Sequence, residues 1–489
     1  METDPLPDLY AALGIPRIAD AEEIRQAYRG LAKRFHPDSG TGEASTERFQ
    51  MIEEAYRVLS SPQQRREYDH RLKLQEQKAQ AVLSCQVLTS QETLPAMETE
   101  QMLYLLIEIE PRSEFKPRRM PLNLGLVIDR STSMEGNRLN SVKVAAHRII
   151  DDLQEDDVLS IVAFSDRAEV LLPGQSMKDR ARAHALVSSI WAGGGTEILQ
   201  GLKAGLEQVR RFQRSDRISY LILLTDGRTY GDEEDCIVEA RRAGLERIGI
   251  SALGIGEDWN DLFLDRLVQQ ANGVSVYVSH AQQIRQVLDE QVRKIGRLVA
   301  RDLSLTLRFS EHVWLEAAFC AAPQFDHLVM EDGTCKLGPL FQGEKVSALY
   351  ELVVGRAEPG THRLLQWELT AEVLGPPARQ ERLQADVRLN VSAEPPPEPV
   401  PPRILTVLSR LSIFRLQEQA WRALEEGRAL EAGRQLETVA TRLLDIGEYE
   451  LAQMALLEAG RVTQGAQVSK KGHKTIKYGT RSLGIKTPG

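Results

Sequence analysis

Apolar positions change their period several times along the chain, and each change predicts a different kind of element. Ile24, Tyr28, Leu31 and Phe35 recur at helical spacing, and so do Phe49, Ile52, Tyr56 and Leu59. Two such stripes predict an antiparallel helical hairpin with His36-Pro37-Asp38 at its tip. Farther on, the apolar runs Leu122–Ile128, Val158–Phe164, Tyr220–Leu224 and Ile248–Ile255 are separated by helix-patterned stretches. Strands alternating with helices predict a mostly parallel α/β sheet. Leu303, Leu305, Leu307 and Phe309 then alternate with polar residues, and the period of two returns over 365–373 and 385–391. Val346–Val354 is a further strand-like run, and Ile107-Glu108-Ile109-Glu110 alternates ahead of the α/β segment. The pattern is that of antiparallel, half-exposed sheets.

These periods divide the chain. Residues 1–72 form the hairpin domain and 73–81 a linker. Residues 82–120 together with 298–393 make one β-sandwich, split by an α/β domain over 121–296; the other reading of 82–118 is a plain linker. Residues 394–402 are rich in proline and are expected to be stiff and extended. Helical stripes resume at Ile404, Leu405, Leu408 and Leu411, at Leu436, Val439, Ala440 and Leu443, and at Tyr449, Ala452 and Leu456, giving a hairpin or bundle over 403–463. Residues 464–489 are polar and basic and are expected to be a flexible solvated tail, with Thr475 and Thr480 as candidate phosphorylation sites.

Composition narrows the classes of function. The 489 residues are 42% hydrophobic and 27% charged, with a formal net charge of −9, so bulk attraction to nucleic acid or an anionic membrane is not expected. The longest apolar runs are strand length, no secretory signal is evident, and a cytoplasmic protein is expected. Cys85, Cys236, Cys320 and Cys335 have no paired spacing and read as thiols of a reducing compartment. No Walker loop, nucleophile elbow or histidine cluster is present, so a catalytic role for the chain itself is not expected.

The hairpin carries the first candidate site. Arg25, Arg29, Lys33 and Arg34 lie on the outer face of its first helix, and Pro37 stiffens the turn while Asp38 adds a negative acceptor beside that positive face. A tip with a basic stripe is a docking surface. The segment from about Asp8 to Asp69 resembles the J domain of the DnaJ family. The likeness runs through Leu9-Tyr10, Leu13-Gly14, the basic helix, His36-Pro37-Asp38, Glu53-Glu54-Ala55-Tyr56, Leu59-Ser60-Ser61-Pro62 and Arg66-Glu67-Tyr68-Asp69. It implies an all-α domain whose partner is a DnaK-type 70-kDa heat-shock chaperone, contacted through Arg25, Arg29, Lys33, Arg34, His36, Pro37 and Asp38. The repeated Cys-x-x-Cys region of many DnaJ proteins is missing, so another module must select the client.

The second site lies where strands end. Asp129-Arg130-Ser131-Thr132-Ser133 follows the first apolar run of the α/β segment, Gly193-Gly194-Gly195-Thr196 precedes a helix over 197–211, and Thr225-Asp226-Gly227 follows the third run. Hydroxyls of Ser131, Ser133 and Thr196 with carboxylates of Asp129 and Asp226 make an all-oxygen set that suits Mg²⁺ or Mn²⁺. Residues from about 121 to 294 resemble a von Willebrand factor A (VWA) domain with a metal-ion-dependent adhesion site, on Asp129, Ser131, Ser133, Thr196 and Asp226. The resemblance implies a doubly wound, Rossmann-like α/β fold. It also implies a bound ion that takes a Glu or Asp from a partner protein. The expected architecture is therefore multidomain: all-α J domain, α/β VWA domain, antiparallel β-sandwich and C-terminal helices. The expected function is that of a co-chaperone that stimulates a DnaK-type ATPase and recruits clients through the metal. The alternative is a metal-dependent scaffold in a stress or conflict assembly, with the J domain secondary.

Overall fold

Local capping starts the first helices. The computed structural model describes residues 7–35, 43–115, 119–227, 229, 231–375 and 377–484, which fall into two compact units, 1–81 and 82–489. In the first unit the Asp8 carboxylate accepts from the backbone N–H groups of Tyr10 and Ala11 at 3.0 Å and opens α1 (Leu9–Leu13). Asp20 and Glu23 form a reciprocal capping box that opens α2 (Ala21–Phe35). Helices α3 (Glu43–Leu59) and α4 (Pro62–Gln80) follow. Leu9, Tyr10, Leu13, Ile24, Ile52, Ala55 and Leu59 are buried in one core, and Tyr28 stacks on Tyr56 at 4.1 Å to join α2 to α3. The linker expected over 73–81 is instead helical as far as Gln80. Its Lys, Leu, Gln, Glu and Ala residues are strong helix formers, and nothing in that stretch breaks the helix.

The second unit begins with β1 (Leu83–Thr89), β2 (Thr93–Pro95) and β3 (Gln101–Pro111). The α/β segment follows: β4 (Leu122–Asp129), α5 (Asn137–Asp152), β5 (Val158–Phe164), β6 (Ala168–Ser176), α6 (Arg180–Ser188), α7 (Ile198–Arg211) and β7 (Ile218–Thr225). It continues with α8 (Glu233–Leu245), β8 (Gly249–Ile255), α9 (Asp261–Gln269), β9 (Ser275–Val278) and α10 (Ala281–Ile295). Among the described residues these strands form a six-stranded sheet in the order β6-β5-β4-β7-β8-β9, parallel except for β6 against β5. Helices α5, α6 and α10 cover one face and α7, α8 and α9 the other, which is why β4, β5 and β7 are buried along their whole length and read as unbroken apolar runs. Strands β6 and β9 escaped the sequence reading. The first is an edge strand holding Pro173 and Gly174, and the second is four residues long.

The remaining strands are β10 (Leu298–Phe309), β11 (Val313–Ala322), β12 (Asp326–His327), β13 (Thr334–Phe341), β14 (Val346–Val354), β15 (Gly360–Val373) and β16 (Arg379–Ser392). Two sheets result, β1-β3-β14-β11-β12 and β13-β10-β15-β16-β2, so strands from both sides of the α/β segment share each sheet. Strand β3 pairs along the whole of β14, with Leu106 opposite Leu349. Every residue of β14 is buried because both of its faces are covered. Tyr350 reaches the facing sheet at Cys335, 3.2 Å from hydroxyl to Sγ, while Leu349 packs under the C-terminal helices.

Those helices are α11 (Pro402–Glu425), α12 (Ala429–Asp445), α13 (Tyr449–Thr463) and α14 (Lys470–Arg481). Helix α11 is fastened to the first sheet by Arg403 on Glu108 at 2.7 Å and Arg415 on Glu351 at 2.5 Å, with the Arg415 guanidinium 4.5 Å over Phe319. The flexible tail expected from residue 464 is not found in the described part. Helix α14 buries Lys474, Lys477 and Thr480 between α9, α11 and α13. Lys474 donates to the Trp259 carbonyl at 2.6 Å, Lys477 pairs with Asp261 and Asp265, Arg481 meets Asp265 at 2.8 Å, and Lys470 meets Asp258 at 2.8 Å. The basic run is thus neutralised by acidic residues on and just before α9, some two hundred positions upstream. Thr480, wholly buried and hydrogen-bonded to Gln417, offers no surface for modification. All four cysteines are free thiols, and burial pushes Cys320 up to about 12. Among the described residues no helix is long and apolar enough to cross a membrane.

Candidate metal centre and docking helix

The order in which strands are added to the sheet reverses at β4, which has β5 on one side and β7 on the other. Ligand sites of doubly wound sheets form at such a point, beyond the carboxyl ends of the strands. Asp129 is the last residue of β4 and Asp226 follows β7, so the fold sets both carboxylates there. Asp129 is fully buried. Its Oδ1 accepts from the Ser131 N–H at 2.8 Å and its Oδ2 from the Thr225 hydroxyl at 2.6 Å. Ser131 and Ser133 bring their hydroxyl oxygens to 3.1 Å, and Ser133 donates to Asp226 Oδ1 at 2.7 Å. Thr196 lies alongside, packed so closely on Gly227 that a Cβ there would stand 3.0 Å from its hydroxyl.

Two backbone links hold the loops in register. The Gly193 N–H donates to the Arg130 carbonyl at 2.7 Å, and the Thr132 N–H to the Gly194 carbonyl at 3.1 Å. The structure therefore joins Asp129, Ser131, Ser133 and Asp226 in one hydrogen-bonded cluster and sets Thr196 on its rim. Two members were not singled out from the sequence. Thr225 orients Asp129, and Arg138 binds Asp226 Oδ2 while donating to the Ser133 carbonyl at 3.2 Å. The position of Arg138 on the first turn of α5, five residues past Ser133, was the available signal.

Charge in this cluster is incompletely balanced. Burial raises the Asp129 carboxyl to about 6 against the pull of its Ser131 and Thr225 hydrogen bonds, and the nearby Asp226 adds to the rise. Arg138 neutralises Asp226 alone. The donors are hydroxyls and carboxylates, the chemistry that hard divalent cations favour. No group of three or more His, Cys, Asp or Glu side chains with metal-binding geometry occurs among the described residues.

In the first unit, Arg25, Arg29, Lys33 and Arg34 are exposed on α2. Arg25 is steadied by Glu22 at 3.3 Å, and the Arg34 guanidinium lies 5.5 Å over the Phe35 ring. His36, Pro37 and Asp38 lie outside the described residues. The opposite face of α2 is held to the domain core, so the basic stripe is presented outward.

Comparison with known proteins matches three separate segments of the chain. The DnaJ domain model matches residues 8–69, the von Willebrand factor type A domain model 123–290, and the model of the Sll0103-like, C-terminal alpha-helical domain 402–486. The chain thus carries a J domain and a VWA domain, within a multidomain architecture that adds a β-rich region and C-terminal helices. Protein sll0103 of Synechocystis sp. is 29% identical over 308 residues, 61% of this chain and 73% of that protein. Chaperone protein DnaJ of Hydrogenobacter thermophilus is 47% identical over 75 residues, 15% of this chain and 21% of its own length, so that likeness is confined to one domain. YfbK of Escherichia coli is 23% identical over 281 residues, and the match spans 49% of its length. Two solved structures share the fold. One is von Willebrand factor type A from Catenulispora acidiphila (TM-score 0.66, 17% identity, 82% of this chain and 96% of that one). The other is the ArnB paralog VWA2 from Sulfolobus acidocaldarius (TM-score 0.51, 18% identity, 83% and 100%).

Proposed function

We propose that this protein is a J-domain co-chaperone that stimulates the ATPase of a DnaK-type 70-kDa heat-shock chaperone and brings it clients through a cation-dependent contact at the VWA domain. One observation carries the reading: a chain with a J domain also holds Ser131, Ser133, Asp129 and Asp226 in a single oxygen cluster at the switch point of its α/β sheet. Ser131, Ser133 and Thr196 would hold Mg²⁺ or Mn²⁺ through hydroxyls, and Asp129 and Asp226 through carboxylate oxygens or water. When bound there, such an ion would supply Lewis acidity toward a Glu or Asp carboxylate of the client. The chain's own residues do the rest. Thr225 orients Asp129, Arg138 steadies Asp226, and the basic face of α2 with the 36–38 tip docks on the partner chaperone.

Two assays test this reading. A DnaK-type ATPase is measured with and without the protein, and proteins retained by the immobilised chain are compared in Mg²⁺ and in EDTA. Stimulation together with EDTA-released clients is expected. A retained set that EDTA leaves unchanged contradicts the cation-dependent contact. The second reading is a cation-dependent scaffold to which the J domain is secondary. It draws support from the Catenulispora acidiphila chain, nearly all of which is matched by 82% of this one. Absence of ATPase stimulation would favour it.

A further inference from the structure

Two side chains at the edge of the oxygen cluster take no part in it. Trp191 is the most exposed tryptophan among the described residues, with 67% of its surface open, whereas Trp259 and Trp367 are buried. Arg130 stacks its guanidinium 5.2 Å from the centre of that ring. The Arg130 Nε is buried and has no hydrogen-bond partner. Both residues sit on the loops that build the cluster: Arg130 lies between Asp129 and Ser131, and Trp191 opens the turn that ends at Thr196.

The loops that carry them are tied together through the backbone. The Gly193 N–H holds the Arg130 carbonyl, and the Thr132 N–H and hydroxyl both hold the Gly194 carbonyl. Asp166 lies against this turn, its Oδ1 accepting from the Gly195 N–H at 2.9 Å. Gly193 lies so close under the ring that a Cβ would stand 3.0 Å from it, so the indole is laid against its own loop with its other surface open. A Trp–Arg pair at the rim of a docking site has the composition of an interface hot spot, and the tied backbone of the two loops lowers the entropy lost on binding.

We infer that Arg130 and Trp191 form a specificity subsite beside the oxygen cluster. It recognises an acidic protein segment in which a second carboxylate, close along the chain to the one taken at the cluster, reaches the Arg130 guanidinium and packs over Trp191. Charge decides the occupant. A guanidinium laid on an exposed indole calls for an anion, and a peptide that already delivers one carboxylate delivers a second at little extra ordering cost. The inference rests on the cation-dependent docking proposed above.

A displayed library of random peptides, selected on the full chain in Mg²⁺ and eluted with EDTA, tests it. Wild type is compared with Arg130→Gln and with Trp191→Ala, each checked for an unchanged thermal melt and for retained Mn²⁺ binding. The expected result is a wild-type pool enriched in paired acidic residues, a loss of the second acidic preference with Arg130→Gln, and a weakening of about tenfold for the best peptide in either variant. An EDTA-eluted pool that is the same for all three proteins, or one with a single acid beside apolar residues, overturns the subsite and leaves cation-dependent docking standing. Peptides that stay bound in EDTA, are released only by a following acid wash and depend on Arg130 support the subsite and remove the cation from the docking reading. Recovery of no peptide overturns both.

Discussion

Asp129 is under electrostatic tension at the candidate metal centre. It is wholly enclosed, and burial lifts its carboxyl to about 6 despite hydrogen bonds from Ser131 and Thr225. A divalent ion would relieve that tension, so Asp129→Ala should abolish Mn²⁺ binding in a calorimetric titration, and unchanged binding would sink the assignment. Ser133→Ala removes one oxygen and should weaken binding without abolishing it. The positions and residue types of this cluster were legible in the sequence, because each lies at the end of a buried apolar run or on the tight loop before a helix. The Arg138–Asp226 pair was not, since a first-turn arginine looks the same whether it faces solvent or a carboxylate. A second residue-scale feature is the pair His147 and His184, whose Nδ1 atoms are 2.8 Å apart between α5 and α6. Burial, and then the neighbouring His184, lower the His147 pKa below its ordinary value. A lowered histidine favours the neutral folded form, so its contribution is intact above about pH 6.5 and is lost as pH falls through the folded value. His147→Gln should therefore show a smaller drop in melting temperature between about pH 7.5 and pH 5.5 than wild type; an equal drop would count against this coupling.

Elements differ in how plainly their sequences announce them. Strands β4, β5, β7 and β8 are apolar because helices cover both faces of the sheet, and burial of that kind is visible as composition. Helix α14 is the contrary case. Its sequence is basic, with Ile476 nearly its only large apolar residue, yet it is packed on three sides. Its stability comes from charge pairing with Asp258, Asp261 and Asp265 and from two glycines. Gly472 sits against Glu458, and a Cβ on Gly479 would stand 2.6 Å from a Leu451 methyl. Asp265 meets Lys477 at 3.0 Å, Arg481 at 2.8 Å and the Tyr478 hydroxyl at 3.0 Å, all in a poorly solvated place. Removing one partner of a buried pair strands the other charge, at a cost of about 3 to 5 kcal/mol. Asp265→Ala should destabilise the second unit by roughly that amount in urea unfolding and expose residues 464–484 to limited proteolysis. Resistance equal to wild type would argue that the clamp contributes little.

At the scale of the whole molecule the J domain and the VWA domain perform separable tasks in the proposed function. Asp38→Asn should abolish stimulation of a DnaK-type ATPase while leaving EDTA-sensitive client capture intact, and Asp129→Ala should do the reverse. A variant that loses both would show the two activities to be inseparable. What the sequence determined by itself was local: helical stripes, apolar runs and the residue types of each loop, since period and hydropathy are properties of neighbours along the chain. It therefore disclosed the J domain, the α/β domain and the oxygen donors. Only the tertiary structure decided which distant segments meet. It paired β3 with β14 across the inserted α/β domain, set Glu108 and Glu351 under arginines of α11, and turned a basic tail into a buried helix by supplying acids from α9. Pairing of that kind is fixed by the complementarity of two surfaces, and neither surface alone specifies its partner.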